Sequence, residues 1–265
     1  MKTERKFSFR EKLNAKKTLI GTHLQMPVPE HAELLAMAGF DYIWMDAEHG
    51  PFDDRTLLLC ISLAQAMGTA AVVRVPMNDY NATKRILEMG PDGIIFPVVN
   101  TREQAETLIL STFYPPLGNR GFGPMRAVEY GERDVREYVE RGVFEMARFV
   151  QIESEEAVRN LKELLKVPYI DGFIVGPNDL SASVGELCRE SQPKTTALIR
   201  EIGEILREKD RLLGVSTGDS SAENLTFWKN IGCRMISAGM DHGFLLNGAK
   251  QMRACLGTAF GSADL

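Results

Sequence analysis

Cysteine is scarce and scattered in this chain. Its four cysteines, Cys60, Cys188, Cys233 and Cys255, form no CxxC or CxxxC pair. That argues against a zinc cage or a disulfide framework and fits a reducing compartment. No apolar run approaches the roughly 18 residues a bilayer span requires, so no membrane partner is expected. The first twenty residues, MKTERKFSFREKLNAKKTLI, are charged throughout and lack the apolar centre of a secretory signal, so a cytoplasmic location is expected. The net charge of only −5 gives no reason to expect a nucleic acid partner. No GxSxG occurs, and no dinucleotide-binding glycine pattern follows a first strand. Lysine is missing from the interior of every strand-like run, which excludes imine chemistry from a lysine inside a barrel. There is no low-complexity stretch and no domain linker.

What is present is a repeating pattern. The chain has 265 residues, 44% hydrophobic and 25% charged, which suits a single domain over 1–265 with a large core. Eight short apolar runs recur: Thr18–Gln25, Tyr42–His49, Ala70–Pro76, Gly93–Val99, Ala147–Glu153, Gly172–Asp179, Leu212–Thr217 and Cys233–Gly239. Helix-like stretches separate them at Glu30–Ala38, Asp53–Met67, Asn81–Met89, Arg102–Ser111, Asp134–Glu145, Glu155–Leu165, Gln192–Glu208 and Ala222–Asn230. Eight β/α units in about 250 residues are the count and length of a closed (β/α)8 TIM barrel. A leading helix within 1–17 should plug or flank the barrel bottom. Asp241–Leu256 reads as a terminal helix and 257–265 as a loose tail. Between the fourth and fifth runs, Tyr114–Gly131 is rich in glycine and proline and carries Arg120 and Arg126, a length and composition that is rarely filler.

In such a barrel the chemistry sits at the carboxyl ends of the strands. Those ends here carry His23, His49, Arg74, Glu153 and Asp179. Glu153 and Asp179 end adjacent strands about 4.8 Å apart. They can converge on one hard divalent ion, completed by waters or substrate oxygens, or each can cap the helix that follows. Arg74, in the apolar VVRVP, is costly to bury unless it meets an anion. Either a structural carboxylate or a substrate oxyanion answers that need. Asp46-Ala47-Glu48-His49-Gly50 ends the second strand, with Asp46 placed to orient His49 as a general base. The turn Gly176-Pro177-Asn178-Asp179 opens a helix whose free N–H groups suit a small carboxylate. His31 and His242 read as surface or packing residues, and His23 as a pocket-lining one.

The ordered motifs GTHLQMPVPEHAELLAMAGFDYIWMDAEHGPFD, VVRVP, YPPLGNRGFG, VQIES and GPNDLSASVG resemble the HpcH/HpaI family of metal-dependent class II pyruvate aldolases. The match covers nearly the whole chain. It includes the 2,4-dihydroxyhept-2-ene-1,7-dioate and 2-dehydro-3-deoxyglucarate aldolases of aromatic and sugar-acid catabolism. The resemblance implies a carbon–carbon lyase of the aldehyde-lyase type, cleaving a 4-hydroxy-2-oxo acid to pyruvate and an aldehyde. It further implies Mg²⁺, Mn²⁺ or Co²⁺ held by Glu153 and Asp179, Arg74 on the keto oxygen, and His49 paired with Asp46 as the base. Gln151 would lie beside pyruvate, whose carboxylate would be held at Gly176, Pro177, Asn178 and Asp179. It also implies a homo-oligomer, a hexamer built as a trimer of dimers, with the C-terminal helix exchanged between subunits. Oxaloacetate decarboxylation, citrate-synthase-like condensation and a silent carboxylate-binding paralogue are the alternatives on the same barrel. Two positions depart from the pattern: Asn178 stands where alanine is usual, and Glu88 where a shorter aspartate is common.

Overall fold

The computed structural model describes residues 8–187 and 192–261. Cys188 and the ends of the expected leading helix and tail lie outside those residues. Eight parallel strands close in sequence order into a barrel. They are β1 (Leu19–Leu24), β2 (Tyr42–Asp46), β3 (Ala70–Arg74), β4 (Gly93–Phe96), β5 (Ala147–Ile152), β6 (Gly172–Val175), β7 (Leu212–Thr217) and β8 (Cys233–Met240). Every one falls on a run read from the sequence. β2 through β6 are buried along their whole length, because helices cover the outside and side chains fill the inside.

Strand alternation sorts the side chains into two cores. One face packs on the helices, with Ile43, Met45, Ala71, Val73, Val150 and Ile152 among its members. The other fills the barrel, with Leu19, Tyr42, Trp44, Ala70, Val72, Ala147 and Phe149. Phe9, on the short helix Phe9–Asn14, closes the bottom, its ring 6.0 Å from Tyr42 and 6.3 Å from Phe149. Counting by twos along the inward face leads to a polar layer. In β2 it leads from Trp44 to Asp46, in β3 from Val72 to Arg74, and in β5 from Phe149 to Gln151 and on to Glu153. The apolar filling thus gives way to a polar layer at the carboxyl mouth.

Three stretches differ from expectation, each for a local reason. The helix foreseen over Asp134–Glu145 is Val135–Glu140, followed by a 3₁₀ turn at Gly142–Phe144. Gly142 is packed so tightly that a Cβ there would lie 2.6 Å from the Arg133 guanidinium and 2.7 Å from the Tyr138 ring. The helix foreseen over Glu155–Leu165 breaks at Asn160, whose side chain donates to the Asn100 carbonyl at 2.9 Å. The terminal helix runs Asp241–Phe260, so residues 257–260, read as loose tail, are helical. Among the described residues, Cys60, Cys233 and Cys255 are free. No helix of the described residues is long and apolar enough to cross a membrane.

The glycine- and proline-rich segment is ordered by specific contacts. Arg120 is buried, donates to Glu88 at 3.0 Å and lies 4.6 Å over the Tyr114 ring. Tyr80 donates to the Asn119 carbonyl at 3.0 Å and accepts from the Gly121 amide at 2.7 Å. Arg126 binds the Met89 carbonyl and Gln65, both at 2.7 Å. A cavity of about 770 Å³ lies between this segment and the barrel bottom, lined by Arg10, Arg126, Arg133 and Tyr138. It is remote from the polar layer, and its arginines already bind Asp171, Gln65, Glu137 and Glu145.

Candidate active site

Asp46 and Arg74 are Cα partners at the ends of β2 and β3, so their inward side chains meet directly. Arg74 donates from Nε to Asp46 Oδ1 at 2.9 Å and from Nη2 to Oδ2 at 2.6 Å, a two-point clamp. Its remaining nitrogen, Nη1, lies 2.8 Å from a Glu48 carboxylate oxygen and 3.4 Å from Gln151 Oε1. The guanidinium also sits 5.4 Å over the Trp44 ring. Burial acts to raise the Asp46 carboxyl, but the hydrogen bonds and charge of Arg74, with a bond from Gln25, hold it below the ordinary aspartate value.

From Arg74 the hydrogen bonds continue around the mouth. Gln151, buried on β5, donates to Glu153 Oε2 at 3.0 Å. The Val98 amide, beyond β4, donates to Glu153 Oε1 at 2.6 Å. Val98 holds φ +49°, a left-handed backbone that costs a β-branched residue on the order of 1–3 kcal/mol. Burial pushes the Glu153 carboxyl up to about 7, and the nearby charges of Asp179 and Glu48 push the same way. Glu48 is likewise raised, by burial first, although Arg74 and His49 act to lower it. The charges of Glu48 and Asp179 thus bear on Glu153, while the Arg74 guanidinium lies between Asp46 and Glu48.

Helix capping does not account for either acid. The helix after β5 is capped by Ser154, whose hydroxyl accepts from the Ala157 amide. The helix after β6, Pro177–Ser183, begins at Gly176 with no side-chain cap, and Asp179 is exposed within its first turn. Its first N–H groups are left to solvent or a ligand. Gly176 allows close approach: a Cβ there would stand 2.7 Å from Glu153 Oε2 and displace that carboxylate. Asn178 is exposed beside Asp179.

The expected pairing of Asp46 with the His49 ring is not formed. Both oxygens of Asp46 are taken by Arg74, and its only bond to His49 comes from that residue's backbone N–H at 3.2 Å. The imidazole is 60% exposed and lies 3.9 Å from Glu48, which is its acidic neighbour. His23 is buried and locked inside the barrel. Its Nδ1 donates to the Gly239 carbonyl at 2.9 Å and its Nε2 accepts from Ser216 at 2.8 Å. Burial lowers its pKa, so it remains a neutral supporting ring against Trp44, 5.2 Å away. His31 binds the buried Asp241 at 3.0 Å. Asp241 in turn accepts from the Gln25 and Met26 amides and so fixes the end of β1. Glu88 has Arg120 as its partner rather than a group of the polar layer.

Four participants escaped the sequence reading as site residues. Trp44 and Gln25 could have been found by parity, two positions from Asp46 and His23. Glu48 shares its parity with Asp46. For Val98 the signal pointed the other way, because a valine is a poor candidate for left-handed backbone.

A closed parallel barrel with a clamped arginine and neighbouring carboxylates at its carboxyl mouth has the architecture of a (β/α)8 barrel enzyme. Residues 20–247 match the sequence profile described as HpcH/HpaI aldolase/citrate lyase, and the chain belongs to that family. It is 32% identical over 248 residues to a hydroxypyruvate/pyruvate aldolase of Cupriavidus necator, covering 93% of this chain and 91% of the relative. It is 30% identical over 250 residues to a 4-hydroxy-2-oxo-heptane-1,7-dioate aldolase of Escherichia coli, covering 94% and 95%. The fold matches a crystal structure of an HpcH/HpaI aldolase/citrate lyase family protein from Burkholderia cenocepacia, with a TM-score of 0.87. Identity there is 29%, covering 93% of this chain and 98% of that one.

Proposed function

We propose that the chain is a divalent-metal-dependent aldehyde-lyase that reversibly cleaves a 4-hydroxy-2-oxo acid to pyruvate and an aldehyde. The observation that carries this reading is Arg74, buried and held edge-on by Asp46 and linked through Gln151 to Glu153. The names of the aldolase relatives support the same reaction class.

The donor set fits a hard cation. Glu153 and Asp179 are oxygen ligands, and Glu153 is raised to about 7 by burial and by neighbouring acids, a repulsion that a divalent ion relieves. A site with two carboxylates leaves the remaining positions of a hard cation to waters and substrate oxygens. Bound there, Mg²⁺, Mn²⁺ or Co²⁺ supplies Lewis-acid polarisation of the substrate keto group. The amides of Asn178 and Asp179, at the uncapped helix start shaped by Gly176 and Pro177, hold the substrate carboxylate. Arg74 meets the charge that develops on the keto oxygen, and Gln151 keeps Arg74 and Glu153 at fixed separation. His49, on the open side of the mouth, takes the proton of the 4-hydroxyl.

The test is a screen of aldehydes with pyruvate, using chelator-stripped protein with and without Mn²⁺ and read by pyruvate loss. Activity is expected only with metal. Glu153→Ala and Asp179→Ala are expected to fold and to lose Mn²⁺ binding by calorimetric titration. Gly176→Ala, whose Cβ must displace Glu153, is expected to weaken Mn²⁺ binding about 10–100-fold. Full activity in the stripped protein would sink the metal mechanism.

The terminal helix supports assembly with other copies of the chain. Along Asp241–Phe260 only Asp241 is buried. Leu245, Ala249, Met252, Leu256 and Phe260 follow a four-three-four-four spacing, and the four large ones are 63%, 61%, 50% and 83% exposed. That is an apolar seam of the kind buried against another helix. We read it as the element exchanged in a trimer of dimers. Replacing Leu245, Met252 and Leu256 together by glutamate is expected to reduce the mass seen by light scattering while leaving the circular dichroism of the barrel unchanged. An unchanged mass would remove the seam from the interface.

A further inference from the structure

The Pro97–Val98 peptide is held from both sides. Its carbonyl oxygen, on Pro97, accepts a hydrogen bond from the Asn78 side-chain amide at 2.5 Å. Its N–H, on Val98, donates to Glu153 Oε1 at 2.6 Å. The two contacts belong to one planar peptide group and leave it in opposite directions. They link three neighbouring elements of the barrel: the segment after β3, the end of β4 and the end of β5. The orientation of that peptide is bought with a left-handed backbone at Val98, φ +49°, at an exposed β-branched residue. Such a conformation persists only where the surroundings impose it. The continuing loop is tied down as well, since Asn100 accepts from Ser154 at 2.6 Å and from Asn160 at 2.9 Å.

We propose that Asn78 is a positioning residue for Glu153, acting through the Pro97–Val98 peptide to fix the carboxylate at the site mouth. A donor on the carbonyl polarises the whole peptide and strengthens its N–H as a donor. It also opposes rotation of the peptide back to the backbone that valine prefers. Without Asn78, Val98 relaxes, its amide turns away, and Glu153 loses the bond that sets Oε1, keeping only Gln151 on Oε2. Asn78 lies outside the core, so its truncation leaves no buried cavity.

The inference rests on the reading of Glu153 as a metal ligand, and the experiment separates the two. Mn²⁺ affinity is measured by calorimetry, with melting temperature, for wild type, Glu153→Ala, Asn78→Ala, Asn78→Asp and Asn78→Ala/Val98→Gly. Asn78→Asp keeps the shape and removes the donor, and so checks that any effect of alanine is not a folding defect. Both single Asn78 variants are expected to stay folded and bind Mn²⁺ about tenfold more weakly. Glycine takes left-handed backbone without steric cost, so the double variant is expected to recover to within about threefold of wild type. Affinity within about twofold of wild type in both single variants, with or without a lower melting temperature, would overturn the relay. A loss that glycine at 98 does not recover would overturn the role of the peptide. Wild-type binding that survives Glu153→Ala would instead remove the metal reading itself.

Discussion

Arg74→Ala is expected to abolish exchange of pyruvate methyl protons with D₂O, a half-reaction that needs no aldehyde. The charge on the keto oxygen grows as the C3 proton leaves, and losing one preorganised donor to such a charge costs on the order of 3 kcal/mol, a hundredfold or more in rate. The same substitution has a structural cost, because Asp46 is fully buried and would be left without its cation. Breaking a buried pair in this way typically costs about 3–5 kcal/mol. Arg74→Lys therefore belongs beside it. Lysine keeps the positive charge for Asp46 but replaces a planar fork by one ammonium, which cannot clamp Asp46 and face the substrate together. Arg74→Lys is expected to remain folded and still lose exchange by about a hundredfold. Exchange at the wild-type rate in a folded Arg74→Lys would leave the arginine as a salt-bridge residue only.

The barrel and most of its polar layer were legible because strand alternation is a rigid rule. Once eight runs end at the right places, Asp46, Arg74, Gln151 and Glu153 follow their apolar neighbours by steps of two and must point inward. The rule stops where the strands stop. His49 lies in the loop past β2, and the partner that sequence proximity suggested, Asp46, was already claimed by an arginine 28 residues further on. Of the two answers to the cost of burying Arg74, the structural carboxylate is present, since two of its nitrogens meet Asp46 and the third faces Glu48 and Gln151; the substrate oxyanion belongs to the proposed function. Val98 was illegible for a different reason. Its left-handed backbone is imposed by Asn78 and Glu153, which lie 20 and 55 residues away in sequence. The terminal helix outran its expected end for want of a stop signal at Gly257, with the left-handed cap falling at Gly261 instead.

His49→Ala is expected to split the chemistry in two. If the imidazole takes the 4-hydroxyl proton, aldol cleavage falls by about two to four orders of magnitude, the usual worth of a general base. Decarboxylation of oxaloacetate, which has no hydroxyl to deprotonate, is expected to survive largely intact. Enolate-forming exchange of pyruvate should survive with it, since Arg74, Gln151 and Glu153 keep their bonds to one another. The structure sharpens the control. The ring is 60% exposed and its nearest acid, Glu48, stands 3.9 Å away, outside hydrogen-bonding distance. Truncating such a side chain typically changes stability by no more than about 0.5 kcal/mol, so the melting temperature should hardly move. A purely structural histidine in the loop after β2 would instead lower both reactions together and lower the melting temperature. Equal losses in cleavage and decarboxylation, with a lower melting temperature, would end the assignment of His49 as the base and turn attention to Glu48, whose raised carboxyl lies beside it.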